Sequence, residues 1–175
     1  MSKALVVIDM QNDFVDGALG SAEAKGIVGK VVEKIRKCKE EGYMIYATQD
    51  THDKYYMESQ EGERLPVVHC IKGTHGWEIV SEVHREIDEH LYQTYEKSVF
   101  GCVPLARALA RKGKLEEIEV VGVCTDICVI SNVLLFKSFM PEVRIVVDSS
   151  CCAGSTVEKH KEALSVLKSC QVDVI

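Results

Sequence analysis

The feature that most constrains the fold of this chain is a regular alternation of short apolar runs with amphipathic segments. The apolar runs have the length of buried strands and end in polar residues or turns, and they cover residues 4–9, 43–50, 90–97, 118–123, 144–149 and 171–175. The segments between them carry apolar residues at helical spacing and cover residues 26–42, 103–113, 126–140 and 156–170. This alternation predicts an α/β fold in which helices cover both faces of a mostly parallel sheet.

The length of the chain favours a single domain over residues 1–175. A chain of 175 residues can bury roughly two-thirds of its unfolded surface around one core. No repeat, low-complexity segment or Ser/Gly-rich linker divides it. A long polar stretch at 51–76 interrupts the alternation, and loops of that length in compact domains are usually functional or disordered.

Charge and hydropathy exclude several classes of partner. The chain has 21 Lys and Arg against 27 Asp and Glu, a net charge of −6, and no basic block, so we expect no nucleic-acid partner. No apolar stretch approaches the roughly 20 residues of a membrane helix, and the N-terminus has no signal-peptide core. We therefore expect a cytoplasmic protein with no membrane partner, whose eight cysteines are reduced thiols.

Polar and reactive residues follow several of the predicted strands. They are Asp9, the group at 49–52, Lys97 and the turn from Cys124 to Cys128. In open parallel sheets, ligands bind beyond the carboxyl ends of the strands. The sequence therefore predicts that these residues meet in one site.

The segment EVVGVCTDICVISN at 119–132 presents two cysteines four residues apart. Cys128 falls in the first turn of the predicted 126–140 helix, where free backbone N–H groups and the helix dipole would lower a thiol pKa. Cys124 lies earlier, where its backbone N–H could help to hold an oxyanion. The alternative is that both are small core residues, whereas the three-residue gap disfavours a redox or zinc pair.

A thiol nucleophile also needs a base and a charge partner. Asp9 and Lys97, each at a predicted strand end, could supply them. Taken singly, Asp9 could cap a turn and Lys97 could be a solvated surface residue. A second set, Asp50-x-His52 with His69 downstream, combines a carboxylate with imidazoles and suits zinc, iron or manganese.

Five motifs occur in an order that is similar to one enzyme family. They are VVIDMQNDF at 6–14, ATQDTH at 47–52, HCIKGTHG at 69–76, YEKSVFG at 95–101 and GVCTDICV at 122–129. The chain resembles the isochorismatase-like cysteine hydrolases, and most closely the nicotinamidases. The resemblance implies a three-layer α/β/α sandwich and a catalytic triad of Cys128, Asp9 and Lys97. It also implies a cis peptide bond at Val123-Cys124 that turns the amides of Cys124 and Cys128 toward the oxyanion.

The same resemblance implies a metal site that accepts the pyridine nitrogen of the substrate. Its ligands would be Asp50, His52 and His69, with Glu61 as a possible fourth, around one divalent ion, zinc first and iron or manganese as alternatives. Phe14 and Phe100 match aromatic positions that flank a flat ring, and we place Gln11 with them as a substrate-binding residue that supplies a supporting hydrogen bond. Isochorismatases and carbamoylsarcosine amidases generally lack this metal set.

The resemblance therefore implies a metal-dependent amidohydrolase that converts nicotinamide and water to nicotinate and ammonia through a thioester, in NAD salvage. The alternatives are a related amidase or ureido hydrolase acting on another small amide, and a catalytically silent member of the family. We expect a small-molecule amide as the ligand and a homo-oligomer as the assembly.

Overall fold

The sheet at the centre of the molecule is parallel throughout. The structure, a computed structural model, describes residues 2–88 and 93–175. Within these residues the strands are β1 (Ser2–Ile8), β2 (Met44–Asp50), β3 (Gln93–Lys97), β4 (Leu115–Val123), β5 (Arg144–Ala153) and β6 (Asp173–Val174). Their order across the sheet is β3-β2-β1-β4-β5-β6, and each neighbouring pair is parallel. The predicted parallel sheet is confirmed.

Helices cover both faces of this sheet. In the described part of the chain they are α1 (Asn12–Val15), α2 (Ala22–Glu40), α3 (Gln60–Arg64), α4 (Ser81–Asp88), α5 (Val103–Arg111), α6 (Ile130–Phe139) and α7 (Val157–Ser169). The buried side chains of α2 and α4 join one core cluster, and those of α5, α6 and α7 join the other. The molecule is therefore the expected three-layer α/β/α sandwich. None of these helices combines the length and the apolar character needed to cross a membrane.

Strand β1 shows why the apolar runs in the sequence are nearly continuous. Leu5 and Val7 point into the core under α2 and α4, whereas Val6 and Ile8 point into the core under α5 and α6. Neighbouring side chains of a strand face opposite sides of the sheet, so a strand covered on both faces needs apolar residues at every position.

Several boundaries differ from the sequence-based prediction. Helix α2 begins at Ala22, four residues before the predicted start, because the Ser21 hydroxyl accepts a hydrogen bond from the backbone N–H of Ala24 at 3.0 Å and caps the helix. Helix α4 was not predicted, since only Val83 and Ile87 of its residues are in the core. Of the predicted strand 90–97, residues 90–92 lie outside the described residues.

The carboxyl ends of the inner strands lie at one edge of the sheet. The registers pair Asp50 with Lys97 and Ile8 with Gly122, so the residues that follow β1, β2, β3 and β4 leave the sheet at the same level. Gly122 has a φ of 118°, and a Cβ there would lie 2.1 Å from the Ile8 carbonyl oxygen. Only glycine therefore lets β4 approach β1 directly before the turn that carries Cys128.

Candidate active site

Asp9, Lys97 and Cys128 meet at this edge of the sheet. The Lys97 Nζ atom lies 2.7 Å from Asp9 Oδ2 and 3.5 Å from Cys128 Sγ. All three side chains are buried, so the ammonium group interacts with its partners with little solvent screening. The structure thus brings together the three residues that the strand-end argument selected.

The Asp9 carboxylate is held by the neighbouring strand. Thr48 Oγ1 on β2 donates a hydrogen bond of 2.7 Å to Asp9 Oδ1, and this leaves Oδ2 to face Lys97. Asp9 itself has a φ of 48°, a left-handed conformation that is uncommon for residues other than glycine and concentrates at functional sites. Sequence reasoning did not identify Thr48, whose place opposite Asp9 depends on strand pairing.

The predicted lowering of the Cys128 pKa is wrong. Burial, followed by the charge of Asp9, raises the pKa of the Cys128 thiol well above its ordinary value, although Lys97 opposes the shift. Burial also raises the pKa of Asp9, against the opposing charge of Lys97. The position near a helix start cannot offset the loss of solvation. Cys128 therefore keeps its proton until a base removes it, and Asp9 is the adjacent base.

The nucleophile turn, residues 124–129, departs from a regular helix. Residues Thr125–Val129 form one π-helical turn, and α6 begins only at Ile130, not at residue 126 as predicted. The peptide bond between Val123 and Cys124 is cis, as the resemblance implied. The Cys124 carbonyl accepts hydrogen bonds from the backbone N–H groups of Ile127 and Val129, at 3.0 and 3.1 Å. Burial raises the pKa of the Cys124 thiol to about 12, so its side chain is not a thiolate near neutral pH.

Asn132 holds this turn from the first part of α6. Its side-chain amide donates hydrogen bonds to the carbonyls of Cys128 at 2.8 Å and Phe100 at 3.0 Å, and its Oδ1 accepts one from the Cys102 N–H at 2.8 Å. Asn132 thereby ties the nucleophile to the loop that follows β3. The sequence analysis missed this residue, although an asparagine inside an apolar helix four residues after the nucleophile is a usable signal.

The segment 154–160 clamps the same turn from the other side. Asp126 accepts hydrogen bonds from the N–H and the hydroxyl of Ser155, at 2.8 and 2.6 Å. The buried hydroxyl of Thr125 lies 2.8 Å from His160 Nδ1 on α7. A Cβ at Gly154 would lie 2.8 Å from the His160 N atom, so glycine permits this close packing. Sequence reasoning also missed His160.

We expect His160→Ala to lower kcat roughly 5–10-fold with KM changed less than about twofold, because Thr125 loses its partner and the turn carrying the nucleophile loosens. Steady-state kinetics and a thermal melt measure the two effects separately. His160→Asn, which keeps a polar atom near Nδ1, should recover part of the rate, and the exposed control His84→Ala should have no effect. An unchanged kcat in a correctly folded His160→Ala protein would mean that this contact does not position the nucleophile.

Asp50, His52 and His69 form a second buried cluster beside the triad. The His52 and His69 Nε2 atoms lie 3.0 and 3.5 Å from Asp50 Oδ2, and the three ligand atoms lie within 4.8 Å of one another. Asp50 Oδ1 is 3.3 Å from Lys97 Nζ, so one carboxylate contacts both clusters. Burial by itself would raise the pKa of Asp50, but His52, His69 and Lys97 hold it well below its usual range.

The donor set fits a divalent cation. The buried His52 Nε2 atom has no hydrogen-bond partner among the described residues, although Asp50 Oδ2 is near. The His69 Nδ1 atom lies 2.8 Å from the Val67 carbonyl, and this contact directs its Nε2 atom into the cluster. Buried polar atoms are normally satisfied, and a cation between these donors would satisfy them. Glu61 Oε1 lies 3.9 and 4.0 Å from the two Nε2 atoms, within reach of the same ion.

Gln11 supports the metal set from outside the cavity. Its side chain accepts a hydrogen bond from the Asp50 N–H at 2.7 Å and donates to the carbonyls of Asp50 and Trp77, both at 2.8 Å. It is fully buried and is not among the described residues that line the cavity. Gln11 was expected to bind substrate through a supporting hydrogen bond. The structure instead shows it using its hydrogen bonds to position Asp50.

A cavity of about 1220 Å³ opens above both clusters. The two predicted aromatic residues lie on its wall. Phe14 is buried and packs edge-on against the His69 ring, with ring centroids 5.6 Å apart, whereas Phe100 is half exposed. Cys128 and the three metal-set residues line the same cavity, so one small molecule can contact both.

Comparisons with known proteins agree with this architecture. A family model described as the isochorismatase domain matches residues 3–175. The chain is 32% identical over 178 residues to an isochorismatase family protein, PncA, of Bacillus subtilis, covering 94% of this chain and 93% of that one. The crystal structure of nicotinamidase/pyrazinamidase PncA from Bacillus subtilis has a TM-score of 0.85 at 27% identity and covers 99% of each chain. Pyrazinamidase of Pyrococcus horikoshii in complex with zinc has a TM-score of 0.83 at 28% identity and covers 100% of this chain and 99% of that one.

Proposed function

Because this chain belongs to the isochorismatase family, we propose that it is a metal-dependent cysteine amidohydrolase that converts nicotinamide and water to nicotinate and ammonia. Family membership and the similarity to the Bacillus subtilis nicotinamidase/pyrazinamidase structure identify a hydrolase that acts on amide bonds. The observation that carries the finer proposal is the shared cavity of Cys128 and the set Asp50, His52 and His69. In this proposal the enzyme serves NAD salvage in the cytoplasm.

The first half of the reaction makes a thioester. Asp9 takes the thiol proton of Cys128, and the Lys97 ammonium stabilises the thiolate that forms. The sulfur then attacks the carboxamide carbon, and the backbone N–H groups of Cys124 and Cys128 hold the developing oxyanion. Asp9 returns its proton to the leaving nitrogen, the C–N bond breaks, and ammonia departs.

The second half of the reaction releases the acid. Asp9, again a carboxylate, takes a proton from a water molecule, whose oxygen attacks the thioester carbon. The C–S bond then breaks, the proton on Asp9 returns to the Cys128 sulfur, and nicotinic acid leaves and ionises to nicotinate in solution. The raised pKa values of both groups suit this exchange, since each can hold the proton at a different step.

The metal set supplies binding and orientation. Asp50, His52 and His69 would hold one divalent ion, zinc first and iron or manganese as alternatives, with Glu61 as an additional ligand. When bound, such an ion is a Lewis acid that accepts the lone pair of a pyridine nitrogen. The zinc complex of the Pyrococcus horikoshii pyrazinamidase supports this choice of ion.

The roles of Lys97 and Asp9 should be separable. Lys97→Ala removes a positive charge from beside the sulfur, so the pH profile of Cys128 alkylation by iodoacetamide should shift to higher pH. Asp9→Asn removes the proton acceptor, so turnover should fall at least about 10³-fold while nicotinamide still binds. Rate and alkylation profiles that stay unchanged in Lys97→Ala would contradict the role given to this residue, and the exposed control Lys112→Ala should match the wild type.

Ammonia release from a small panel of substrates tests the proposed function. The zinc-loaded protein should hydrolyse nicotinamide and pyrazinamide and leave carbamoylated amines intact. Hydrolysis of carbamoylated amines alone would instead identify a related amidase or ureido hydrolase. No turnover of any amide, with metal bound, would identify a catalytically silent member of the family.

A further inference from the structure

The cavity is larger than a bare pyridine carboxamide requires. Pockets that enclose a drug-sized ligand measure roughly 300–1,000 Å³, and this one measures about 1220 Å³. A single six-membered ring with a carboxamide group would occupy only the part beside Cys128 and the metal set. The remaining volume can therefore hold a further group attached to the ring.

The cavity lining includes exposed apolar residues, and we call these the rim. Its half-exposed members are Tyr55 and Val99, with 54% and 60% of their surfaces exposed. Leu65 and Ile127 line the same cavity and are partly buried. Large apolar side chains that share one concave surface mark a binding site more often than isolated exposed ones do.

The orientation of the proposed substrate directs one ring position toward the rim. A pyridine-3-carboxamide with its nitrogen toward the metal set and its carboxamide toward Cys128 has both groups on one side of the ring. The carbon between them, C2, then faces the floor of the cavity, and the opposite carbon, C5, faces away from it. A substituent on C5 would therefore extend toward the mouth of the cavity, and Tyr55 and Val99 are exposed apolar residues of the cavity lining.

Charge does not favour an ionic substituent. The charged residues of the cavity away from the metal set are of both signs, and they include Asp53, Glu58, Arg64 and Lys72. A second copy of the chain could also cover the rim, but the rim is continuous with the surface that holds the reacting thiol. A group attached to the substrate reaches it without any further partner.

We infer that this enzyme prefers pyridine carboxamides with an apolar substituent at C5 over nicotinamide itself. This inference rests on the proposed function, since the orientation of the ring comes from the metal set and Cys128. The rim, with Tyr55 and Val99 at its most exposed part, is the specificity element for that substituent.

Kinetics with 5-phenylnicotinamide and nicotinamide test this preference. For the zinc-loaded enzyme, kcat/KM should be about tenfold higher for the phenyl compound, as expected for partial burial of one apolar ring. The double variant Tyr55→Ser with Val99→Ser should remove most of that preference and keep nicotinamide turnover. Val166→Ser, an equally exposed apolar position on α7 outside the described cavity lining, is the matched control.

Binding to the zinc-loaded Cys128→Ala protein gives a second readout that needs no turnover. Calorimetry should show about tenfold tighter binding of 5-phenylnicotinamide than of nicotinamide. If nicotinamide is turned over but the phenyl compound binds equally well or more weakly, the inference is overturned and the proposed function stands. A dimer that buries the rim and excludes the phenyl group would have the same consequence. If neither compound is hydrolysed, the proposed function fails, and the inference, which rests on it, fails with it.

Discussion

Replacing Cys128 with alanine is expected to abolish amide hydrolysis, with kcat falling at least about 10⁴-fold, and to leave the fold intact. The sulfur forms the only covalent bond to the substrate in the proposed reaction, and Asp9 and Lys97 act through it. The side chain is small, so its loss removes little packing. Ammonia release measures the rate, and a thermal melt with circular dichroism confirms the fold.

Cys124→Ala is the matched control for this experiment. Its proposed contribution is a backbone N–H, which alanine keeps, and the raised pKa of its thiol makes the side chain a poor nucleophile. We therefore expect most of the activity to remain. Loss of activity in Cys124→Ala together with full activity in Cys128→Ala would show that Cys124, and not Cys128, is the nucleophile.

The second large effect concerns the metal set. Metal analysis of the purified protein should give about one ion per chain, and His52→Ala or His69→Ala should lose both the ion and nicotinamide turnover. Each substitution removes one of the convergent donors, and the ring of the substrate loses its anchor while the triad stays assembled. Turnover should fall roughly 10²–10³-fold, mainly through weaker binding of pyridine carboxamides.

His75→Ala is a suitable control, because this histidine is exposed and lies outside the cluster. It should keep both the ion and the activity. A protein that gains nothing from added zinc, iron or manganese, and that hydrolyses a non-aromatic amide equally well after His52→Ala, would be a different amidase of the family.

The sequence predicted that the candidate residues lie close together, because parallel topology determines where strand ends lie. Asp9, Asp50 and Lys97 each follow or end a buried apolar run, and such runs in a parallel sheet end at a common edge. That rule needs only the order of strands and helices, which the apolar periodicity supplies. The positions of individual side chains were not required.

The supporting contacts could not be predicted in the same way. Thr48 contacts Asp9, 39 positions away, and His160 contacts Thr125, 35 positions away, so both contacts depend on the packing of separate elements. Asn132 contacts Cys128, which is only 4 positions away. The predicted direction of the Cys128 pKa shift was wrong for a related reason. A sequence shows that a cysteine is near a helix start, but not that burial beside Asp9 outweighs that position.

Helix α4 shows a different limit. Four of its eight residues are Asp, Glu or Arg, and among its described side chains only Val83 and Ile87 lie in the core. Two core positions in two turns are too few to establish a helical period in a long polar region. Packing against α2, including the ion pair of Arg36 with Glu86 at 2.6 Å, supplies the context that the sequence alone does not contain.

Acid quenching of the zinc-loaded enzyme during its first turnover of nicotinamide, followed by peptide mass mapping, tests the central claim most directly. The account predicts a nicotinoyl group on the peptide that contains Cys128, held as a thioester that hydroxylamine removes. A nicotinoyl group on any other residue, or a full equivalent of nicotinate from the Cys128→Ala protein, would contradict it.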